Sequence, residues 1–411
     1  MTAGRPLSTN GDRLWRSLME MAEIGATPAG GCNRLALTEA DRAARDLFVR
    51  WCEDAACRIQ IDTMGNIFAR REGSRAGAAP VLMGSHLDTQ VTGGKFDGVF
   101  GVLAALEVIR TLNDADHSTP FPVEAVVWTN EEGARFSPAM MGSAVWSGAQ
   151  TREDAHGRTD TASRRVDEEL LRIGYLGDHP CAAGPVRAFF EAHIEQGPVL
   201  ERAGRQIGIV TGIQGIRWFE IIVEGTSCHA GTTPMDARRD PVRAIAEMVP
   251  ALFDMADRHQ PEARLTIGRF NMSPGAYNTV PNRAAIGIDL RHPTATVLDD
   301  LTRSLERTVR DACERHELAF SIRLELDCAP VSFTPDCVDA VQRAADACGF
   351  ASLRMVSGAA HDAMYVSRVA PAAMIFVPCE GGVSHNEAER ARPEDLKAGC
   401  DVLLGAILEL G

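Results

Sequence analysis

The sequence predicts an α/β fold, with a central sheet that is covered by helices and interrupted by a smaller two-layer α+β domain. Two observations support this prediction. Short, continuously apolar segments alternate with helical segments toward both ends of the chain, as is typical of strands buried on both faces. Between them, the predicted elements follow the order β-α-β-β-α-β, a known two-layer arrangement. We therefore predict a main domain formed by residues 1–214 and 331–411 and an inserted domain formed by residues 215–330.

Hydrophobic periodicity predicts the elements of the first part of the main domain. Leu14, Leu18 and Met21 recur at helical spacing and predict an opening helix, and a similar pattern around Leu47 predicts a second helix. Continuous apolar segments that end in charged residues predict buried strands. The further predicted elements are, in chain order, a strand over 61–71 with a turn at Gly65, a strand within 79–89, a helix over 98–113, a strand within 122–133, a helix over 166–173 and a strand within 188–201.

The chain changes character near Gly215, where the predicted inserted domain begins. The elements predicted within this domain are a strand over 219–225, a helix over 240–258, strands over 265–271 and 284–291, a helix over 297–316 and a strand over 320–327. The first pattern then resumes. The elements predicted in this last part are a helix over 336–347, a strand over 372–378 and a helix over 394–410. This return indicates that one domain is inserted into the other.

Composition and charge exclude several classes of protein. The 411-residue chain is 45% hydrophobic and 24% charged, an ordinary globular mixture that excludes a disordered or collagen-like chain. Its 42 Lys and Arg against 56 Asp and Glu give a net charge of −14, which argues against nucleic acid as a partner. No apolar stretch approaches the roughly 18 residues that would span a membrane, and the polar N-terminus has no apolar signal core. Eleven cysteines without a C-x-x-C pair indicate free thiols in a reducing, cytoplasmic compartment.

Acidic and imidazole side chains follow several of the predicted strands at the point where each strand ends. Ligands bind at the carboxyl ends of the strands in such sheets, so we expect these side chains to lie close together. Imidazole and carboxylate groups are typical zinc ligands, and a carboxylate can bridge two metal ions. Because the set is larger than one zinc ion takes from a protein, it predicts a two-metal site. The set comprises His86, Asp97, Glu131, Glu132, His193 and His385.

Glu131 and Glu132 are neighbours in an extended segment, where adjacent side chains point in opposite directions. One of the two can therefore bind a metal ion, while the other stays free to act as a general base in hydrolysis. The alternative interpretation is a pair of acidic residues that caps the start of a helix.

Seven segments of the chain carry a resemblance to a known family. They are GSHLDTQVTGGKFDGVFGVLAALE (84–107), TNEEGARFSPAMMGS (129–143), HIEQGPVLE (193–201), CHAGTTPMDARRD (228–240), YNTVPNRAAIGIDLRH (277–292), SGAAHDA (357–363) and GGVSHNEAE (381–389). In this order, they resemble the hydantoinase/carbamoylase branch of the di-zinc aminoacylase and carboxypeptidase family. The resemblance extends over nearly the whole chain.

The resemblance implies an α/β di-metal hydrolase domain with a mixed central sheet, and an inserted lid domain that also forms a homodimer. It implies two divalent metal ions per subunit, either zinc or manganese, cobalt or nickel. The residues implied to hold one ion are His86, Asp97 and His193. Those implied to hold the second are Asp97, Glu132 and His385. Glu131 would then be the general base.

The resemblance also implies four substrate-binding residues. His229 would reach the site of the opposite subunit and stabilise the developing oxyanion. Arg291 would bind a substrate carboxylate through its guanidinium fork. Gln196 would contact a ureido group, and Asn278 matches a further substrate-binding position of the family.

Two more residues are predicted to support the metal ligands. Asp88 would accept a hydrogen bond from the His86 ring and orient it, or else cap a turn. His361 would lie beside the ligands, or else have a purely structural role. The family usually has glycine where this chain has Ala360, and a methyl group there would restrict the backbone of the loop.

The implied reaction is hydrolysis of the ureido C–N bond of an N-carbamoyl-L-amino acid to the amino acid, carbon dioxide and ammonia. His193 favours it, since peptidase relatives usually have a carboxylate at this position. Alternative substrates within the class are allantoate and β-ureidopropionate. More distant alternatives are an aminoacylase or peptidase, and a non-catalytic ligand-binding relative. The complete ligand set together with Glu131 argues against a protein that only binds.

Overall fold

The computed structural model describes residues 7–410, which form two compact units. One unit contains the chain up to Thr211 and from Ser332 onward, and the other contains Gly212–Val331. Residues 1–6 and 411, at the ends of the predicted main domain, lie outside the described residues, as does part of the polar N-terminus. Within the described range, no helix is long and apolar enough to cross a membrane.

The elements alternate along the chain. The strands are β1 (Arg58–Ile61), β2 (Ile67–Arg71), β3 (Val81–His86), β4 (Val123–Trp128), β5 (Ala188–Ile194), β6 (Ile207–Ile213), β7 (Gly215–Glu224), β8 (Cys228–His229), β9 (Arg264–Ser273), β10 (Thr279–Val280), β11 (Arg283–His292), β12 (Ala319–Cys328), β13 (Val331–Ser332), β14 (Ser352–Ser357) and β15 (Ala372–Val377). The helices are α1 (Gly11–Ala22), α2 (Glu39–Asp54), α3 (Val99–Asp114), α4 (Met141–Trp146), α5 (Arg152–His156), α6 (Val166–Ile173), α7 (Val199–Ala203), α8 (Pro241–Asp257), α9 (Ala295–Arg315), α10 (Pro335–Cys348), α11 (Ala363–Val366) and α12 (Pro393–Leu408).

The first unit is built around a mixed sheet, nine-stranded within the described residues. The strand order is β1-β2-β4-β3-β5-β15-β6-β13, and β14 also pairs with β6. The strands β4, β3, β5 and β15 are parallel to one another. The pairs β1–β2, β2–β4 and β15–β6 are antiparallel. The predicted α/β fold class with a mixed central sheet is therefore confirmed.

The four parallel strands are buried along their whole length, which explains their continuously apolar sequences. Helix α3 packs against β3, β4 and β5, and α12 packs against β15 and α3. Burying each large aliphatic or aromatic side chain in these layers contributes about 1.5–3 kcal/mol. The strands thus form a rigid support for the residues that follow them.

Several parts of the first unit differ from the prediction, which lacks the strands β6 and β13 and the short helices α4, α5, α7 and α11. Segment 61–71 is not one strand, because the antiparallel strands β1 and β2 meet at a turn in which Gly65 has φ 78°. The Asp62 carboxylate closes this turn by accepting hydrogen bonds from the Met64 and Asn66 amides. Strand β14 was not predicted, because its half-exposed, polar-interrupted sequence lacks a continuous apolar pattern.

The second unit contains the predicted β-α-β-β-α-β order, formed by β7, α8, β9, β11, α9 and β12. Its four-stranded antiparallel sheet has the order β12-β7-β11-β9. Helices α8 and α9 pack against the sheet and against each other, around a core that includes Ile221, Leu252 and Leu305. A separate two-stranded ladder, β8–β10, carries His229 opposite Thr279.

Candidate active site

The predicted site residues of the first unit lie at one edge of its sheet. His86 is the last residue of β3, and His193 is the penultimate residue of β5. Glu131 and Glu132 follow the end of β4, and His385 follows the end of β15. Because these four strands are parallel, their carboxyl ends meet at the same edge, as the sequence predicts.

Asp97 lies at the centre of this cluster and is almost completely buried. Its Oδ1 atom lies 3.1 Å from His193 Nε2 and 4.0 Å from His86 Nε2. Its Oδ2 atom lies 3.3 Å from His385 Nε2, which is also 3.3 Å from Glu132 Oε2. The two oxygens of one carboxylate therefore face two different sets of side chains.

These side chains fit a pair of divalent cations. Among the described residues, the donor atoms of three groups lie within 4.8 Å of one another. Two of the groups include Asp97, and the remaining one is Glu191, His193 and His361. The members of the first group are His86, Asp97 and His193, and those of the second are Asp97, Glu132 and His385. Mixed imidazole and carboxylate donors are what zinc and similar metals bind, and a carboxylate with one oxygen toward each group suits a shared ligand.

The charge distribution also favours cations at this position. Burial, together with the nearby Asp97 charge, raises the pKa of Glu132 to about 8. Burial alone would raise the pKa of Asp97 as well, but hydrogen bonds from His193 and His385 hold it well below its ordinary value. Positive charge is therefore needed to keep Glu132 ionised beside Asp97.

Glu131 belongs to neither donor group, although it is adjacent to Glu132. Its Oε2 atom lies 3.4 Å from His86 Nε2, and its side chain is buried. Burial, followed by the charges of Asp362 and Glu132, raises the pKa of Glu131 well above its ordinary value. A carboxyl group that readily holds a proton thus lies beside the two groups, where the prediction requires a general base.

The prediction for Asp88 was wrong in one respect. The Asp88 carboxylate lies 4.0 Å from His86 Nδ1, whereas the backbone carbonyl of Asp88 lies 2.9 Å from the same atom. The carboxylate instead accepts the backbone N–H groups of Glu131 and Glu132, at 3.2 Å each. These buried amides would otherwise lack partners, so Asp88 orients both the His86 ring and the Glu131–Glu132 segment.

Gln196 contacts the predicted metal ligand Asp97. Its Nε2 donates to Asp97 Oδ2 at 2.9 Å and to Ser384 Oγ at 3.3 Å. Because a rotated amide would place oxygen against a carboxylate, these contacts fix the orientation of the group. The Oε1 atom is buried and has no hydrogen-bond partner among the described residues. Gln196 also has φ 57°, a left-handed conformation that is uncommon outside glycine.

His361 packs against a predicted ligand. Its ring centroid lies 4.5 Å from that of His193, and its Nε2 lies 3.0 Å from Ser357 Oγ. Burial and then the neighbouring His193 lower the pKa of His361 well below its ordinary value, so the ring stays neutral. Ala360 is not among the residues with positive φ, so the loop at this point has no need of glycine.

The other predicted substrate residues belong to the second unit. The His229 Nδ1 atom accepts the backbone N–H groups of Gly231 and Thr232, at 3.0 and 3.2 Å. The ring proton must then reside on Nε2, which is a donor. Asn278 immediately precedes β10, and its carbonyl accepts the amide of Ala230, the residue after His229.

Arg291 lies on β11, apart from that ladder, and its guanidinium is already paired. The Nε and Nη2 atoms lie 2.8 and 2.7 Å from the two oxygens of Asp289. The Asp289 carboxylate also accepts the indole N–H of Trp218 at 2.9 Å. The sequence analysis considered Arg291 without this partner, which holds its fork in one orientation.

Four residues at the sheet edge were missed by the sequence analysis. Gln90 donates to Glu132 Oε2 at 2.8 Å, and the buried Glu191 accepts the Ser85 hydroxyl at 2.7 Å. Ser384 and Glu389 contact Asp97. Both lie in the segment GGVSHNEAE, in which only His385 was predicted to have a role. Their closeness in sequence to this predicted ligand could have identified them.

Comparison with known proteins gives a consistent result. Residues 82–409 match the model of peptidase family M20/M25/M40. The chain is 45% identical over 406 residues to an N-carbamoyl-L-amino-acid amidohydrolase of Rhizobium meliloti, covering 99% of this chain and 98% of the relative. It is 39% identical over 405 residues to an N-carbamoyl-L-amino acid amidohydrolase of Geobacillus stearothermophilus, with coverage of 97% and 98%. The solved structure of a hydantoinase/carbamoylase-family amidase from Burkholderia multivorans has a TM-score of 0.95 at 48% identity, covering 98% of both chains.

Proposed function

The chain belongs to peptidase family M20/M25/M40 and is a hydrolase, and we propose that it cleaves the ureido C–N bond of N-carbamoyl-L-amino acids. The products would be the amino acid, carbon dioxide and ammonia. The observation that carries this proposal is the arrangement around Asp97, whose two oxygens face two donor groups while Glu131 lies beside them. The similarity to named carbamoyl-amino-acid amidohydrolases supports the choice of substrate.

We propose two divalent metal ions per subunit, zinc or else manganese, cobalt or nickel. His86 and His193 would hold one ion, Glu132 and His385 would hold the other, and Asp97 would be shared. When bound, such ions polarise a carbonyl group and lower the pKa of water. The Nδ1 atoms of His86 and His193 lie 2.9 Å from backbone carbonyls, which turns both Nε2 atoms toward the site.

Glu131 would be the general base of the reaction. It would take a proton from the attacking water and deliver it to the departing nitrogen. Its raised pKa suits the second half of this task, because a buried carboxyl among other carboxylates retains the proton until the leaving group accepts it. His229 would donate its Nε2–H to the oxyanion.

Gln196 supports a ureido substrate rather than an acyl one. Its amide N–H groups are directed to Asp97 and Ser384, so only the Oε1 acceptor is left for a substrate. A carbamoyl group offers an N–H₂ donor to this acceptor, whereas an acetyl group offers a methyl group. Leaving a buried acceptor without a partner costs about 1–3 kcal/mol, which favours carbamoyl over acetyl substrates.

Arg291 would bind the carboxylate of the substrate. Asp289 holds the guanidinium from one side and orients its planar fork. A fork of this kind matches a carboxylate in both charge and geometry. Asn278, adjacent to His229, would contribute a further polar contact to the substrate.

We also propose a homodimer formed through the inserted domain, in the cytoplasm. Strand β9 lies at one edge of the sheet of the second unit, and its residues Phe270 and Met272 are each about half exposed. An edge strand with exposed apolar residues is a natural pairing surface for a second copy.

The proposed compartment is supported by the cysteines. The eleven cysteines are all free, which agrees with a reducing compartment.

Mixed dimers of two inactive variants should recover activity. If His229 acts across the dimer and Arg291 within its own subunit, a dimer of H229A and R291A chains contains one intact site of two. Random mixing should then restore about a quarter of the wild-type activity. The measurement is ammonia release after co-refolding or subunit exchange, with each variant alone as the control. No recovery in verified mixed dimers would contradict the proposed arrangement.

The proposed reaction is tested by ammonia and amino-acid release from purified, manganese-loaded protein. The substrates are N-carbamoyl-L-methionine, its D-isomer, N-carbamoyl-β-alanine, allantoate and N-acetyl-L-methionine. We expect the fastest turnover with the L-carbamoyl compound and a loss of turnover after chelation. A clear preference for allantoate or N-carbamoyl-β-alanine would reassign the substrate, and a preference for the acetyl compound would indicate an aminoacylase. Absence of bound metal and of turnover would indicate a binding protein.

A further inference from the structure

Glu389 is a buried carboxylate that contacts the backbone of Asp97, the residue that two donor groups share. Its Oε1 atom accepts the backbone N–H groups of Phe96 and Asp97, at 2.9 and 3.2 Å. Its side chain is only 3% exposed. Gly94 leaves room for it, since a β-carbon at that position would lie 2.0 Å from the carboxylate. Glu389 therefore occupies a site formed for it, without belonging to either donor group.

Ser384 connects Glu389 to the side chain of Asp97. Its hydroxyl lies 3.0 Å from Glu389 Oε2 and 3.0 Å from Asp97 Oδ2. The same Oδ2 accepts the Gln196 amide at 2.9 Å. Ser384 also immediately precedes His385, which has the left-handed φ of 52°. Glu389 thus contacts Asp97 directly at the backbone and indirectly at the carboxylate.

We propose that Ser384 and Glu389 are positioning residues that set the rotation of the Asp97 carboxylate. This inference rests on the proposed function, in which Asp97 is shared by two cations. The Ser384 hydroxyl and the Gln196 amide hold Oδ2 on the side of His385, which leaves Oδ1 toward His193. Rotation of the carboxylate would remove one oxygen from each donor group.

The contacts predict which cation is affected. Ser384 contacts Oδ2, the oxygen that faces the group of Glu132 and His385, while Oδ1 is in contact with His193. Loss of the hydroxyl should therefore weaken one of the two binding events more than the other. Removing a hydrogen-bond partner of a metal ligand typically lowers metal affinity by about 10–100-fold.

The test compares manganese or zinc binding to metal-free S384A and wild-type protein by isothermal titration with a competing chelator. We expect two binding events in the wild type and, in S384A, one event weakened by about 10–100-fold with the other largely retained. Thermal unfolding of the metal-free proteins shows whether the variant is folded. S147A is the matched control, because the Ser147 hydroxyl donates to the backbone carbonyl of Ala144.

Two further variants separate positioning from general stability. E389Q keeps an oxygen for the Phe96 and Asp97 amides and gains an N–H₂ that can donate to Ser384, so its metal binding should match the wild type. E389A should reproduce the effect of S384A. D401A removes another buried carboxylate that accepts a backbone N–H, that of Thr9, and should lower stability without changing metal affinity.

The outcomes distinguish this inference from the proposed function. A wild type that binds two cations, with S384A binding both equally well, would overturn the positioning role alone. Equal weakening of both events in S384A, E389A and D401A would also overturn it, because the effect would then follow stability. A wild type that binds no cation would overturn the proposed function and this inference together.

Discussion

Replacing Glu131 with glutamine is expected to lower kcat by about 10²–10⁴-fold, the usual contribution of a general base. The substitution keeps the shape of the side chain but removes its ability to take a proton. Because Glu131 belongs to neither donor group, metal content should not change. KM should change little, since the substrate contacts are assigned to other residues. Steady-state kinetics on the preferred carbamoyl substrate and elemental analysis of the same sample measure both expectations.

The neighbouring residue supplies the contrast. E132Q is the same chemical change one position later, but Glu132 lies 3.3 Å from His385 and belongs to a donor group. This variant should lose metal as well as activity, and added metal should restore part of its activity. If E131Q keeps its activity within about tenfold, or if both variants lose metal equally, the two carboxylates do not have the separate roles assigned to them.

The arrangement of the proposed ligands was predictable because it follows from local patterns. A continuous apolar segment that ends in His86 or in Glu131 predicts a buried strand whose last residues reach the sheet edge. Parallel strands then bring such ends together without any knowledge of the loops. The same reasoning located His193 and His385, because each accompanies another strand of the parallel set.

The contacts of Asp88 could not be derived in this way. They depend on the loop after β4, where Asn130 has φ 55° and its side chain donates to the carbonyls of Phe136 and Pro138. This geometry turns the amides of Glu131 and Glu132 toward Asp88. Sequence spacing does not specify a left-handed residue at such a position, since only its surroundings stabilise it.

The partner of Arg291 was predictable, in contrast. Residues two apart in a strand lie on the same face, so Asp289 and Arg291 are neighbours by periodicity alone. The pairing was missed because the family pattern assigned Arg291 to the substrate without regard to its strand neighbours. Any substrate carboxylate must therefore bind to a guanidinium that already has one carboxylate partner.

Gly98 gives the second large expected effect, because it lies directly against His86, a proposed metal ligand. A β-carbon at this position would lie 2.3–2.5 Å from atoms of the His86 ring, and the glycine has a positive φ of 67°. G98A should therefore displace His86 and strain the start of α3. A misplacement of about 1 Å can lower turnover by about 10²-fold, and displacement of the ligand should weaken metal binding as well.

G184A is the matched control for this variant, since a β-carbon on Gly184 meets nothing within 4 Å. It should keep wild-type kcat and metal affinity. Gly98 has φ 67° and ψ −48°, a combination that L residues rarely adopt, so alanine should cost about 1–3 kcal/mol there. G98A should remain folded, since a native domain is stable by about 5–15 kcal/mol, and its loss of function should exceed its loss of stability. Thermal unfolding, metal titration and kcat on both variants separate these effects. If G98A retains wild-type metal affinity, the position of the His86 ring does not depend on the absence of a side chain at Gly98. The group of His86, Asp97 and His193 would then tolerate more movement than its packing indicates.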